Sequence, residues 1–316
     1  MKTKLGLLLL ILLITVGCDD STQSEQPVEQ PASQEVEQLS SREVEQLLLV
    51  SHGELGNKIF TITDEQAESL SKARELFLNG LISITDEQAE SLSKVRTLYL
   101  NGLTSITDEQ AESLSKVRTL YLKGLTSITD EQAESLSKSE LSLNFNGLTS
   151  ITDEQAESLG KVNSLLLAGL TSITDEQTES LSKVKMVLNL NGLTSITDEQ
   201  AESLSKVRTL YLKGLTSITD EQAESLSKSE LSLSLNGLTS ITDEQAESLS
   251  KSEASLSLNG LTSITDEQAK SLSKVRSLDL NGSTYITDEQ AKSLSNVKYL
   301  LVSKANKKLI DKYKTQ

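Results

Sequence analysis

One five-residue segment, Ile-Thr-Asp-Glu-Gln, occurs eleven times and constrains the fold of this chain more than any other feature. Successive copies are separated by 22 residues in six intervals and by 23 residues in four. The isoleucines that open the copies are Ile62, Ile84, Ile106, Ile128, Ile151, Ile173, Ile196, Ile218, Ile241, Ile264 and Ile286. A period of about 20 to 50 residues is typical of units that pack only on their neighbours. We therefore predict a solenoid instead of one or two compact domains.

The segment itself has the pattern of a helix start. Thr107 and Gln110 form a capping box, in which each side chain satisfies a main-chain amide of the other residue. The two acids between them fall in the first turn, where the helix dipole favours negative charge. Ala111 and Leu114 are three positions apart and mark one inward face. Every unit is therefore predicted to contain one helix of about two to three turns.

The rest of the unit has the pattern of a strand. Leu120 and Leu122 alternate with Thr119, Tyr121 and Lys123, which is the period of two that a strand requires. A glycine follows and permits the turn that leaves the strand. Units of 23 residues carry their extra residue before the strand. We expect this residue to bulge the helix-to-strand link while the strands stay in register.

The complete unit resembles a leucine-rich repeat. It contains the run Leu-x-Leu-x-x-Leu-x-x-Ile-Thr-Asp, followed by Ala and Leu at three-residue steps. It is most similar to the repeat variant that has Cys in place of the third Leu. The resemblance covers residues 62–303. It implies an α/β solenoid with a parallel sheet on its concave side and short helices on its convex side.

One position departs from that family. Leu81 and Leu103 stand where family members usually have Asn or Cys. Asn79 and Asn101 lie two positions earlier, where we expect them to face solvent. The sequence therefore predicts no buried asparagine ladder, and the loop amides are expected to bond to main chain or water.

The first residues have the pattern of an export signal. Lys2 and Lys4 precede an apolar stretch over residues 5–16, which at about 12 residues is shorter than the roughly 20 that span a bilayer. The end of this stretch, Ile-Thr-Val-Gly-Cys, resembles a bacterial lipobox, which implies cleavage before Cys18 and a lipid anchor on that residue. The predicted localisation is then the bacterial cell envelope, at a membrane leaflet that the sequence does not specify. The alternative is an ordinary secretory signal with an incidental cysteine.

The remaining boundaries follow from composition. Residues 1–17 are the predicted signal, and residues 18–35 hold both prolines among Gln, Ser and acids, which is typical of a disordered tether. Residues 36–61 are predicted to form an N-terminal cap and a joint. Residues 62–303 are the repeat solenoid, and residues 304–316 are a C-terminal cap.

The sequence offers little for chemistry. His52 is the only histidine and Cys18 the only cysteine, which excludes paired-histidine metal sites and cysteine-rich zinc sites. The repeated acids could suggest calcium sites or a catalytic carboxylate pair, but every copy carries the same acids and helix capping explains them. A formal net charge of -16 argues against nucleic acid as a partner. We predict no enzyme, no cofactor and no metal, with a hydrolase that uses His52 as a distant third interpretation.

The concave sheet is the better candidate for a binding surface. Phe77, Tyr99 and Tyr121 fall at equivalent places on consecutive strands, which predicts an aromatic ladder with rings spaced by ~4.8 Å. Exposed aromatic residues are favoured at interfaces, although they could also merely cover an exposed sheet. The other candidate residues for partner binding are Glu75, Lys123, Tyr211 and Lys213.

Two functions follow as hypotheses. The first is a membrane-anchored lipoprotein that binds a protein or glycan partner non-covalently on the concave sheet. The second is a structural spacer or charged coat of the envelope with no dedicated ligand. Near-verbatim units favour the second, since residues 89–99 and 111–121 read the same.

Overall fold

The computed structural model describes residues 56–138, 142–283 and 285–314. The predicted signal sequence, Cys18, the tether and His52 lie outside these residues. No helix in the described part is long and apolar enough to cross a membrane.

A short helix follows every Ile-Thr-Asp-Glu-Gln segment, and one longer helix ends the described chain. The helices are α1 (Asp64–Leu70), α2 (Asp86–Leu92), α3 (Asp108–Leu114), α4 (Asp130–Ser137), α5 (Asp153–Leu159), α6 (Asp175–Leu181), α7 (Asp198–Leu204), α8 (Asp220–Leu226), α9 (Asp243–Leu249), α10 (Asp266–Leu272), α11 (Asp288–Leu294) and α12 (Lys304–Lys314).

One short strand follows each of the first eleven helices. The strands are β1 (Glu75–Phe77), β2 (Thr97–Tyr99), β3 (Thr119–Tyr121), β4 (Ser142–Asn144), β5 (Ser164–Leu166), β6 (Val187–Asn189), β7 (Thr209–Tyr211), β8 (Ser232–Ser234), β9 (Ser255–Ser257), β10 (Ser277–Leu280) and β11 (Tyr299–Val302). They form one parallel sheet in sequence order. The alternation of one strand and one helix per unit is therefore confirmed.

The predicted capping box is present at all eleven repeat helices. In α3, the main-chain nitrogen of Gln110 donates to Oγ1 of Thr107 at 3.0 Å, and the main-chain nitrogen of Thr107 donates to Oε1 of Gln110 at 3.1 Å. Two otherwise unpaired amides at the start of the helix are satisfied in this way. Local sequence alone therefore fixes where each helix begins.

The core lies between the sheet and the helices and runs through all the units. Leu98 and Leu100 point inward from β2 and its turn, while Ala89 and Leu92 point inward from α2, and all four side chains are fully buried. Their equivalents in the other units belong to the same continuous apolar cluster. The predicted α/β solenoid, with strands on one side of the core and helices on the other, is confirmed.

The extra residue of the 23-residue units does not disturb the register of the sheet. Leu143 lies opposite Leu120 although 23 residues separate them. Before β8, the main-chain oxygen of Arg208 accepts hydrogen bonds from the nitrogens of both Leu231, at 2.9 Å, and Ser232, at 3.1 Å. Two residues that oppose one are the mark of a β-bulge. The expected bulge in the helix-to-strand link is therefore confirmed.

Asparagine side chains connect the turns that follow successive strands. Oδ1 of Asn79 accepts a hydrogen bond from Nδ2 of Asn101 at 2.9 Å, and Oδ1 of Asn101 accepts one from the main-chain nitrogen of Lys123 at 3.1 Å. Asn146 contacts the amide of Ala168 in the same way at 2.8 Å. The expectation that loop amides bond to main chain or water is wrong here, while the side chains of Asn79 and Asn101 remain partly exposed to solvent. The narrow spacing of parallel strands puts each half-buried side chain within reach of the next unit's amide.

The last helix packs against the end of the array. Ile310 of α12 is buried, and Nδ2 of Asn306 donates to the main-chain oxygen of Ser283 at 2.9 Å. Ser283 stands where the other units have a buried leucine, and its hydroxyl donates to the main-chain oxygen of Leu261 at 3.1 Å. The polar groups of Ser283, at this end of the core, are therefore hydrogen-bonded both to the preceding unit and to α12.

Candidate functional site

Three aromatic rings stack on the outer face of the sheet. Phe77, Tyr99 and Tyr121 hold the same register position on β1, β2 and β3. The ring centroids of the first pair are 4.2 Å apart with 13° between the planes, and those of the second pair are 4.1 Å apart with 10° between the planes. All three side chains are half-buried. Register and the short strand spacing together make this stack, which we call the ring stack.

The ring stack exposes edges more than faces. Tyr99 is covered on both faces by its neighbours, so only its edge and hydroxyl reach solvent. Tyr121 has one face towards β4, where the equivalent residue is the smaller Asn144. The edge of an aromatic ring carries partial positive charge and its face partial negative charge. The stack therefore presents an apolar, weakly electropositive ridge with hydroxyl groups at its tip.

The hydroxyl groups of the ring stack are linked to a carboxylate. The hydroxyl of Tyr99 donates to Oε1 of Glu75 at 3.2 Å. Burial raises the pKa of the Tyr99 hydroxyl, and contact with Tyr121 and with Glu75 raises it further. The Tyr99 hydroxyl therefore stays protonated, and able to donate, across the physiological pH range. The Glu75 carboxylate already accepts a hydrogen bond from this neighbouring side chain.

The structure brings some of the sequence candidates together and leaves two apart. Glu75 lies on β1 beside the ring stack, and Lys123 is exposed directly after β3. Tyr211 lies on β7 between Asn189 and Ser234, and among the described residues no other ring contacts it. Lys213 accompanies Tyr211. Four strand spacings put this pair ~19 Å from Tyr121, so it does not belong to the same patch.

A row of arginines beside the ring stack was missed by the sequence analysis. Arg74, Arg96 and Arg118 each precede a strand of the stack and are exposed. With the residue that follows each of them, they line a shallow, open cavity of about 450 Å³. The triplet Lys-x-Arg occurs at residues 72–74, 94–96, 116–118, 206–208 and 274–276, and only the first three copies stand in consecutive units.

A second shallow cavity lies at the bulged links before β8 and β9. It has a volume of about 650 Å³, and its lining includes Glu230, Leu231, Glu253, Arg276 and Tyr299. Its charges are of both signs.

The repeated acids take part in contacts between units. Oδ1 of Asp86 accepts a hydrogen bond from the hydroxyl of Thr107, in the next unit, at 3.0 Å. Equivalent contacts join the other units at up to 3.4 Å. Within residues 56–138, 142–283 and 285–314, no three His, Cys, Asp or Glu side chains gather closely enough to hold a metal ion. The aspartates therefore act in capping and stacking.

Solved structures identify the architecture. Neither a protein-family model nor a curated protein sequence matches the chain. The leucine-rich-repeat protein LegL7 of Legionella pneumophila has a similar structure, with a TM-score of 0.53 and 17% identity, over 87% of this chain and 95% of LegL7. The fold is that of a leucine-rich-repeat solenoid. An internalin of Listeria monocytogenes also aligns, with a TM-score of 0.47 and 16% identity, over 83% of this chain and 88% of the internalin.

Proposed function

We propose that this leucine-rich-repeat chain is a non-enzymatic recognition protein of the bacterial cell envelope. It binds a protein partner on the outer face of β1–β3. The observation that carries the proposal is the ring stack of Phe77, Tyr99 and Tyr121, which is half-exposed on one end of the sheet. Ordered aromatic rings lose little conformational entropy on binding and supply much contact area.

A protein fits this surface better than a glycan does. Tyr and Arg are among the residue types enriched at protein interfaces and at their energetic centres, and the patch combines both. The mutual stacking of the rings leaves only the two end faces of the stack for a flat ligand to lie on, one of Phe77 and one of Tyr121, the latter towards Asn144. A glycan is therefore the alternative class of ligand for the same face.

Anchoring to a membrane is proposed from the sequence alone. The lipobox-like residues before Cys18 support a lipid on that cysteine, and residues 18–35 would then separate the solenoid from the membrane. Metabolic labelling with a fatty acid tests this step. Label is expected on the wild-type chain and not on Cys18→Ala, and equal labelling of both would contradict it.

The recognition function is tested by capture from envelope extracts. The full chain, solubilised in mild detergent, is compared with the double variant Tyr99→Ser/Tyr121→Ser and with Tyr211→Ser as the matched control. Tyr211 holds the same strand position without stacked neighbours. We expect the double variant to lose a partner that the control retains. A double variant that keeps every partner would refute recognition through the ring stack.

A structural spacer is the second candidate. The outward positions of β8 and β9 are all serines, namely Ser232, Ser234, Ser255 and Ser257, which offer little to specify a ligand. For a spacer, a change in the number of units alters function gradually, whereas a substitution on the sheet does not. An abrupt loss caused by one sheet substitution would count against the spacer.

A further inference from the structure

Charge is distributed unevenly along the chain. Residues 270–316 carry ten Lys and Arg against four Asp and Glu, whereas residues 1–269 carry 20 against 42. The change is visible in the repeat helices. The fifth position is Glu in all of α1–α9, but it is Lys270 in α10 and Lys292 in α11. The chain is therefore acidic over most of its length and basic at its C-terminal end.

The sheet ends at β11 with an open edge. Strand β11 pairs in register with β10, which is its only neighbouring strand among the described residues. The main-chain oxygen of Arg276, before β10, accepts the nitrogen of Tyr299 at 3.1 Å. The equivalent oxygen, that of Lys298, has no following strand to bond in the described part of the chain. An open strand edge of this kind is a template for pairing with another chain.

Both faces of β11 carry apolar side chains that are incompletely covered. The outward side chains, Tyr299 and Leu301, are 53% and 59% exposed. The inward side chains, Leu300 and Val302, are half-buried, whereas the residues opposite them on β10 are buried. Helix α12 packs beside α11, where it contacts Asp288, so it covers the helix side of this end and not the strand edge.

Exposed lysines lie next to this apolar edge. Lys298 directly precedes β11, and its Nζ lies 5.3 Å from the centre of the Tyr299 ring. Lys304, Lys307 and Lys308 are exposed on α12, which begins two residues after β11 ends. The C-terminal end thus combines open main-chain groups, apolar side chains and positive charge. We call β11 and α12 together the basic end.

Residues 36–50 have the complementary composition. They contain three acids, Glu37, Glu43 and Glu45, against one base, Arg42. Positions 47–50 are four consecutive apolar residues. This segment lies outside the described residues and precedes β1, which stands at the opposite end of the sheet order from β11. The chain therefore carries an acidic, apolar segment before its first strand and a basic, apolar edge at its last.

We propose that the basic end of one copy of this chain binds residues 36–50 of a second copy. The apolar run of the segment lies along the open edge of β11, and its acids face Lys298 and the lysines of α12. Because two different surfaces meet, each copy keeps one free surface and assembly continues head to tail. Two basic ends would bring like charges together, which disfavours a symmetric pair. The inference goes beyond the proposed function, since it uses the end of the sheet opposite the ring stack.

The segment cannot reach the basic end of its own chain. The main-chain oxygen of Gly56 accepts the nitrogen of Gly80 at 2.9 Å, which fixes Gly56 beside the turn that follows β1. Position 50 is six residues earlier, and six extended residues span at most ~22 Å. Ten strand spacings separate β1 from β11, which is ~48 Å along the sheet. The segment that occupies the basic end therefore comes from another copy.

The test measures capture of one copy by another. Two versions of the full chain with different affinity tags are mixed in a neutral detergent, and the Kd of capture is measured at low and at moderate salt. We expect wild-type copies to capture each other, and capture to weaken as salt is raised. Capture between two copies of Lys304→Glu/Lys308→Glu should be about tenfold weaker, and the same holds for two copies of Glu43→Lys/Glu45→Lys.

A mixture of the two double variants separates docking from a loss of folding. Each variant alone brings like charges together, whereas the mixture places the new glutamates of one chain opposite the new lysines of the other. Capture in the mixture should therefore return to near the wild-type strength. The matched control is Lys183→Glu/Lys206→Glu, which makes the same change of charge as the lysine variant on exposed residues in the middle of the array and should leave capture unchanged.

Several results overturn the inference. They are no capture between wild-type copies at low salt, no recovery in the mixture, and an equal loss in the control. Equal capture by every variant reports only a shared detergent micelle. Inorganic polyphosphate that binds the wild-type chain and not Lys304→Glu/Lys308→Glu, while copies do not capture each other, assigns the basic end to a polyanion. Tyr99→Ser/Tyr121→Ser should leave capture between copies unchanged, so failure of this inference leaves the proposed function intact.

Discussion

The side-chain amide nitrogen of Gln110 donates a hydrogen bond of 2.9 Å to the main-chain oxygen of Ile84, 26 residues earlier. Oε1 of the same side chain accepts the main-chain nitrogen of Thr107 at 3.1 Å. One buried glutamine therefore caps its own helix and ties that helix to the preceding unit. Equivalent bonds of 2.8 to 3.0 Å join the other units. Capping and stacking depend on the same residue, which accounts for the strict recurrence of the segment.

Gln110→Glu should destabilise the solenoid at neutral pH. The carboxylate keeps an acceptor for Thr107 but has no hydrogen to donate to the oxygen of Ile84, and the side chain is only 6% exposed. A buried unsatisfied group of this kind costs about 1–3 kcal/mol. Denaturant unfolding followed by circular dichroism measures the loss.

The same variant should recover stability in acid. The protonated carboxyl group can donate to Ile84 while its other oxygen still accepts from Thr107, so folding raises the pKa of this carboxyl group. The loss of folding free energy is therefore present above the raised pKa of the folded state, and it disappears as the pH falls through that pKa. Glu109→Gln, an exposed change in the same helix, is the matched control and should lose only the small stabilisation that the helix dipole gives a first-turn acid. Wild-type stability of Gln110→Glu at neutral pH would contradict the double role of the glutamine.

Ser229→Val should stabilise the chain. The hydroxyl of Ser229 is buried, at 2% exposure, and has no hydrogen-bond partner among the described residues. Val184 shows that a buried valine fits this position in a 23-residue unit. Removing the unpaired hydroxyl and burying two methyl groups should each raise the free energy of unfolding by about 1 kcal/mol. Thermal unfolding should show a higher Tm.

The matched control for this change is Ser252→Val. The hydroxyl oxygen of Ser252 accepts the main-chain nitrogen of Ala254 at 3.2 Å, so its removal sacrifices a bond. We expect a smaller gain than at Ser229. An equal gain at both sites would show that the unpaired hydroxyl has no part in the effect.

Helix α12 should be held less tightly against the array in acid. Oδ1 of Asp288 accepts the hydroxyl of Tyr313 at 2.5 Å and Nζ of Lys312 at 3.1 Å. These contacts, that of Tyr313 first, hold the pKa of Asp288 below its ordinary value. A lowered carboxyl pKa contributes stability above the unfolded-state value of about 4, and this contribution is lost as the pH falls through the lowered pKa.

Hydrogen exchange of the α12 amides measures this separation. Protection should decrease in acid for the wild-type chain, while Asp288→Asn should show the same decrease already at neutral pH. Asp266→Asn changes the equivalent residue of the preceding unit and should leave α12 protected. Protection of α12 that is independent of pH would contradict the role of Asp288.

Features with a local cause could be predicted from the sequence. Thr107 and Gln110 lie three positions apart, so the capping box needs no knowledge of the rest of the fold. Leu120 and Leu122 show the strand by their alternation. Once each unit has one strand, the constant period puts equivalent residues side by side, and the ring stack follows.

Features that depend on the offset between units could not be predicted. The bond from Gln110 to Ile84 requires the start of one helix to lie beside the turn before the previous one, and the period alone does not fix that offset. The contact of Asn79 with Asn101 was missed for the same reason. Arg96 was left out because an exposed charge in a link is usually solvated, and its place beside the ring stack follows from the strand register.

The affinity of the captured partner for two altered chains tests the central claim most directly. One chain carries Tyr99→Ser/Tyr121→Ser. The other lacks residues 197–218, one whole unit that includes Tyr211 and Lys213, and rejoins Ile196 to the next Thr-Asp-Glu-Gln in register. If recognition belongs to β1–β3, the double substitution should raise Kd about tenfold or more, and the deletion should leave it within about twofold. A Kd that the deletion raises and the substitutions leave unchanged would contradict the account.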